Sequence, residues 1–196
     1  MDLEVMTIET IISICLGIGL AASVGFRVFV PLFALSLASY FDVWELNESW
    51  QWVGSITALV TLGVATLVEI FAYYIPYIDN LLDTVAVPLA AVAGTAVMMS
   101  TVADLSPVIT WALAIIAGGG TAAAIAGSSS TTRLASTATT GGIANPIVST
   151  LETGTSVVMS VLSIFIPILA VILVFIILFF IFKFFKNFKS TKSKNP

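Results

Sequence analysis

Long apolar runs separated by short polar segments dominate the chain, and a run of about 20 apolar residues is enough for a helix to cross a bilayer. The first run, residues 8–40, is too long for one straight crossing of a ~30 Å hydrocarbon core. A break is expected where the small residues Gly17, Gly19, Ala21, Ala22, Ser23 and Gly25 lead to Arg27 and Pro31. Proline removes a helix hydrogen bond and collides with the preceding turn, while small residues let another helix approach closely. Residues 41–52 set Asp42, Glu45 and Glu48 beside Trp44, Trp50 and Trp52, the composition of an exposed loop with interfacial anchors. A second span is expected over residues 53–77, with Glu69 inside it and Tyr73, Tyr74 and Tyr77 as an aromatic belt at its end.

Asp79 and Asp83, one helical turn apart, open a third span over residues 84–102 that carries Pro88. They read as N-terminal helix carboxylates, the alternative being a pair that binds a cation or accepts protons. A fourth span covers residues 108–126 and contains Gly118-Gly119-Gly120. The pattern then changes. Nine of the thirteen residues from 128 to 140 are Ser or Thr, and Gly141-Gly142 and Asn145-Pro146 follow. Irregular backbone of this kind cannot face lipid, so a helix break is placed at Asn145 and Pro146, and the segment either crosses the membrane or dips in and returns. The last run, residues 157–185, reads as one ordinary span. The expected fold is all-α, a polytopic transmembrane bundle of about six spans, or five plus a re-entrant segment.

Residues 16–24 (Leu-Gly-Ile-Gly-Leu-Ala-Ala-Ser-Val) echo residues 117–125 (Ala-Gly-Gly-Gly-Thr-Ala-Ala-Ala-Ile), and each copy is followed by an arginine and then by an embedded glutamate. Two three-span halves, 1–104 and 105–182, would be inverted in the membrane, as in many secondary transporters. Chance recurrence of small residues in helix-packing stretches gives the same echo.

Composition places the chain in the membrane: 59% of residues are hydrophobic and 9% charged, against about 25% charged in a soluble domain. Residues 1–182 read as one transmembrane domain. All five lysines lie in the tail, residues 183–196, so the positive-inside rule puts the C-terminus in the cytoplasm and the protein in the cytoplasmic membrane. The acidic N-terminus reads as the lead-in to a retained first span rather than to a basic secretory signal. The single cysteine, Cys15, and the absence of histidine exclude internal disulfides, His-held haem and the usual zinc sites. No metal or other cofactor is expected. The expected partners are the lipid bilayer, a small solute or ion, and a second copy of the chain through the small-residue faces; nucleic acid is not among them.

A charge at mid-membrane costs at least ~2.5–3.5 kcal/mol, so Arg27, Glu69, Arg133 and Glu152 need partners. They are expected to form a polar centre between the halves, Arg27 near Glu69 and Arg133 near Glu152, able to hold an anionic solute or pass protons. A structural ion pair that fixes helix register is the competing reading. Ser128, Ser129, Ser130, Thr131 and Thr132, leading to Arg133, offer hydroxyls and a guanidinium suited to anionic oxygens; a solvated polar loop explains them equally. Histidine is missing and no serine within the membrane runs has a neighbouring lysine, which argues against an enzyme.

Four motifs carry a family resemblance: Gly-Leu-Ala-Ala-Ser-Val-Gly-Phe-Arg-Val-Phe-Val-Pro-Leu at 19–32, Glu69 followed by Ile-Pro-Tyr-Ile-Asp-Asn-Leu-Leu-Asp at 75–83, Pro88-Leu89 with Ala93-Gly94, and Asn-Pro-Ile-Val-Ser-Thr-Leu-Glu at 145–152. Over residues 10–180 the chain resembles the integral membrane family catalogued as domain of unknown function 4126. The resemblance implies a multi-pass helical membrane protein and brings no activity. The family pattern has basic residues where this chain has Tyr73, Tyr74, Leu89 and Ala90, so any site needing those cations loses them here. A small transporter or channel built on the Arg/Glu centre is the leading functional expectation. A non-transporting membrane scaffold or assembly subunit is its rival.

Overall fold

The computed structural model describes residues 7–75, 78–102 and 105–192. The first six residues, Pro76, Tyr77, Ala103, Asp104 and residues 193–196 lie outside these, as do the side chains of Phe185 and residues 187–192. The Pro76-Tyr77 part of the second motif and the end of the lysine tail therefore carry no structural statement. Among the described residues there is no strand, and the chain runs through α1 (Ile8–Phe26), α2 (Phe29–Tyr40), a 3-10 turn (Glu48–Gly54), α3 (Ile56–Ala72), α4 (Ile78–Thr101), α5 (Pro107–Leu113), a π-helical turn (Ala114–Gly119), α6 (Gly120–Thr140), α7 (Asn145–Phe165) and α8 (Pro167–Lys192).

Five segments are long and apolar enough to cross a membrane: α1, α4, the continuous stretch Pro107–Thr140, α7 and the first part of α8. The 3-10 turn and α3, bent at 65° to each other, make a sixth if taken as one broken span. With twelve residues, α2 is too short to cross alone. The all-helical expectation of five or six spans holds.

The expected break in the first run falls at Arg27, whose backbone is extended (φ −147°, ψ 125°). Pro31 is not the break itself. It sits in the first turn of α2, where the N–H it lacks would have no helical partner anyway. Asn145 and Pro146 likewise begin α7. The turn before them is made by Gly141 and Gly142 at φ +64° and +88°, a left-handed conformation that glycine adopts without a Cβ penalty.

Two sequence expectations need correction. The Ser/Thr run is not irregular: residues 128–140 continue α6. Four of its threonine hydroxyls turn back on the helix, among them Thr131 donating to the Gly127 carbonyl at 2.7 Å, Thr132 to Ser128 at 3.0 Å and Thr140 to Ser136 at 2.7 Å. Polar side chains satisfied inside their own helix remove the objection to lipid. Nor is the last run one span, because Ile166 leaves the helix at φ −140°, ψ 65° and Pro167 starts α8. Proline disfavours the helical conformation of the residue before it.

The hub of the bundle is α1, packed against α4, α6, α7 and α8. Lipid gives helices no hydrophobic drive to associate, so close backbone approach and hydrogen bonds must hold them. Gly94 of α4 and Gly118 of the π turn face each other so closely that a Cβ on Gly118 would stand 2.6 Å from the Gly94 carbonyl oxygen. Between α1 and α7, Ser23 Oγ lies 2.7 Å from the Ser156 carbonyl and 2.7 Å from Ser160 Oγ. Trp44, expected as an interfacial anchor, donates to the Ile164 carbonyl at 2.8 Å and so ties the loop to the end of α7.

Candidate functional site

Just past the end of α1, Arg27 comes together with the N-terminal parts of α4 and α7 and the middle of α6. Arg27 is 2% exposed and uses its whole guanidinium. It donates to Glu152 Oε2 at 3.1 Å, to the Ser149 carbonyl at 3.0 Å and to Thr153 Oγ1 at 3.0 Å. Arg133, also 2% exposed, donates to both oxygens of the same Glu152 carboxylate and stands 3.8 Å from Asp83. Both guanidinium carbons also lie against the Tyr73 ring, 4.0 and 4.1 Å from its centroid, within cation–π range.

Glu69 behaves differently from expectation. Its two oxygens accept the backbone N–H groups of Val28 at 2.8 Å and Phe29 at 2.9 Å. A helix that starts inside protein leaves its first amides without helical partners, and a carboxylate both fills them and suits the positive end of the helix dipole. Thr66, one turn earlier on α3, adds a hydroxyl bond to the Phe29 carbonyl at 3.0 Å.

The expected quartet thus comes together with altered pairing. Arg27 and Arg133 share Glu152, and Glu69 caps α2 rather than pairing with Arg27. Asp83 joins the cluster through Arg133. Asp79, in the first turn of α4, accepts from Asn145 Nδ2 at 3.0 Å and from its neighbour Asn80 N–H at 2.7 Å. The Ser/Thr candidates split by helix face: Ser129 and Ser130 line the cluster, Ser128 is half-buried on the same helix, and Thr131 and Thr132 are exposed. Sequence reasoning missed Tyr73, read there as membrane-belt aromatic, and the supporting Ser149 and Thr153, and it gave Asn145 only as a helix break.

The cluster encloses a cavity of about 20 Å³ lined by Arg27, Glu69, Tyr73, Asp83, Ser129, Ser130, Arg133 and Glu152, room for a water-sized guest. Arg133 Nη1 and Ser130 Oγ are buried and have no hydrogen-bond partner. A second, larger space of about 370 Å³ lies at the α3–α4 and α6–α7 ends, walled by Tyr73, Tyr74, Asp79, Asn80, Thr137 and Asn145 among others. Tyr73 forms part of both walls. The cluster is also off-centre along α7: Glu152 stands seven residues past Asn145, about 10 Å at 1.5 Å per residue. It therefore sits near one end of the bundle, behind this vestibule.

These features define a multi-pass, all-helical membrane-type protein with a buried arginine–carboxylate cluster. Residues 14–187 match the family described as Domain of unknown function (DUF4126), and the chain belongs to that family. No curated protein and no solved structure matches it.

Proposed function

We propose that the protein is a small transporter that moves an ion or small solute past the Arg27–Glu152–Arg133 cluster. The observation that carries this reading is the imbalance inside the cluster. Three carboxylates, Glu69, Asp83 and Glu152, stand with two guanidiniums around the small cavity, while Arg133 Nη1 has no partner. A purely structural ion pair is stable when every charge and donor is matched. Here a negative charge and an N–H donor are both left over, the inventory of a site that takes up and releases a proton together with a polar guest. The vestibule on the other side of Tyr73 supplies an approach from one end.

The scaffold reading has its own support in the sealed Arg–Glu pairs and in the close Gly94–Gly118 approach. Reconstitution separates the two. Proteoliposomes loaded with a pH-sensitive dye are exposed to a panel of small ions, acids, amines and neutral solutes. Transport predicts a solute-dependent internal pH change that Asp83→Asn and Glu152→Gln abolish in folded protein. No movement of any panel member above protein-free liposomes favours the scaffold.

A further inference from the structure

The vestibule holds a set of groups that the cluster does not use. Asp79 is 4% exposed and, among the described residues, its carboxylate has no cationic partner, the salt bridges there being those of Arg27 and Arg133 with Glu152 and Asp83. Its hydrogen bonds come from neutral donors, Asn145 Nδ2 and the Asn80 N–H. Because a carboxylate only accepts, the bond from Asn145 fixes which end of that amide faces Asp79. The same nitrogen also contacts Thr137 Oγ1 at 3.0 Å. The other end, Asn145 Oδ1, is left as an acceptor with no partner on a side chain whose residue is 3% exposed. Among the described residues no Lys or Arg lines this space.

An unpaired buried carboxylate and an unpaired carbonyl oxygen both call for a donor that carries positive charge. Tyr74, on the same wall, adds an aromatic ring, and ring faces attract cations, alkylammonium groups above all. A hard metal ion needs about six oxygen ligands, and among the described residues no group of three His, Cys, Asp or Glu side chains is placed to hold a metal. The volume of about 370 Å³ sits at the low end of the ~300–1,000 Å³ range of small-molecule pockets. We infer that the vestibule binds a small protonated amine, its ammonium group between the Asp79 carboxylate and Asn145 Oδ1 and its carbon body against Tyr74.

Tyr73, which lines both this space and the cluster cavity, marks the inner limit of the site. Binding here stands independently of the transport reading, because it is measured without a gradient. The probe is methylammonium chloride titrated calorimetrically into the full-length protein in lipid nanodiscs, with sodium chloride as the matched control. Saturable binding is expected, about tenfold or more weaker in Asp79→Asn, a change that keeps an acceptor for Asn145 while removing the charge. Tyr74→Phe should bind as the parent does, and Tyr74→Leu more weakly. Unchanged affinity in Asp79→Asn, no saturable methylammonium binding, or equal binding of sodium each overturns the assignment. Should Asp79→Asn fail to fold, Tyr74→Leu decides: affinity equal to that of Tyr74→Phe overturns it as well. A protein that binds methylammonium but moves nothing in liposomes loses the transport reading alone.

Discussion

Arg27 and Glu152, 125 residues apart, meet at 3.1 Å with both side chains buried. Arg133 reaches the same carboxylate from α6 and stands 3.8 Å from Asp83, so Glu152 is the counter-charge that both buried guanidiniums share. Glu152→Gln leaves both cations without that counter-charge. Removing one partner of a buried pair costs about 3–5 kcal/mol, and the loss should appear as a lowered unfolding midpoint in detergent. Adding Arg133→Gln to Glu152→Gln should recover part of it, since one uncompensated charge goes with it. A loss below about 1 kcal/mol, the range of exposed pairs, would show that water reaches the cluster freely.

Glu69 carries a separate prediction because its partners are backbone groups. Glu69→Ala strands the N–H groups of Val28 and Phe29 at the start of α2, and a buried donor left unsatisfied costs about 1–3 kcal/mol. Hydrogen exchange should rise at these two amides, with little change in α7. If Glu69 instead served Arg27, the disturbance would spread to Ser149 and Thr153, which hold that guanidinium from the far side.

Much of this arrangement was legible in the residues and part of it was not, for identifiable reasons. Spans follow from run length, and Arg27, Glu69, Arg133 and Glu152 stood out because charge inside apolar sequence must be solvated by protein. Which arginine meets which glutamate depends on helix neighbours, and α7 rather than α3 lies along Arg27. The Ser/Thr run of α6 misled because composition does not reveal that hydroxyls can bond the carbonyl four residues back. Pro167 is the one residue in the last run that marks its break, and the apolar length on either side hides it. Tyr73 sat in a tyrosine cluster that fits a membrane belt equally well, and only the packing of two arginines against its ring distinguishes the roles.

Helix packing predicts opposite outcomes for two chemically identical substitutions. In Gly118→Ala the new methyl would lie 2.6 Å from the Gly94 carbonyl oxygen and 2.7 Å from Met98 Cβ, forcing α4 away at a cost of about 1–3 kcal/mol. At Gly154, inside α7, a methyl would meet no neighbouring atom within 4 Å, so Gly154→Ala should gain about 0.5–1 kcal/mol from helix propensity. Matched thermal unfolding of the two variants reads the sign directly. Similar behaviour of both would mean that the α4–π-turn contact is looser than the structure has it.

Tyr73 stands between the vestibule and the cluster cavity, since the residue belongs to both walls and is 8% exposed. Ser130 lies on the inner side, its hydroxyl buried. In a Cys15→Ala background, a cysteine placed by Ser130→Cys should therefore resist a water-soluble, membrane-impermeant thiol reagent, because a thiol must be reached to react. Adding Tyr73→Ala removes the ring between the two spaces and should make that thiol reactive from the vestibule end only. Bulky vestibule variants such as Gly142→Trp, placed at the outer wall, should slow the labelling again. Equal reactivity with and without the Tyr73 ring would mean that the cluster is reached by another route, and the vestibule would then have no part in access to it.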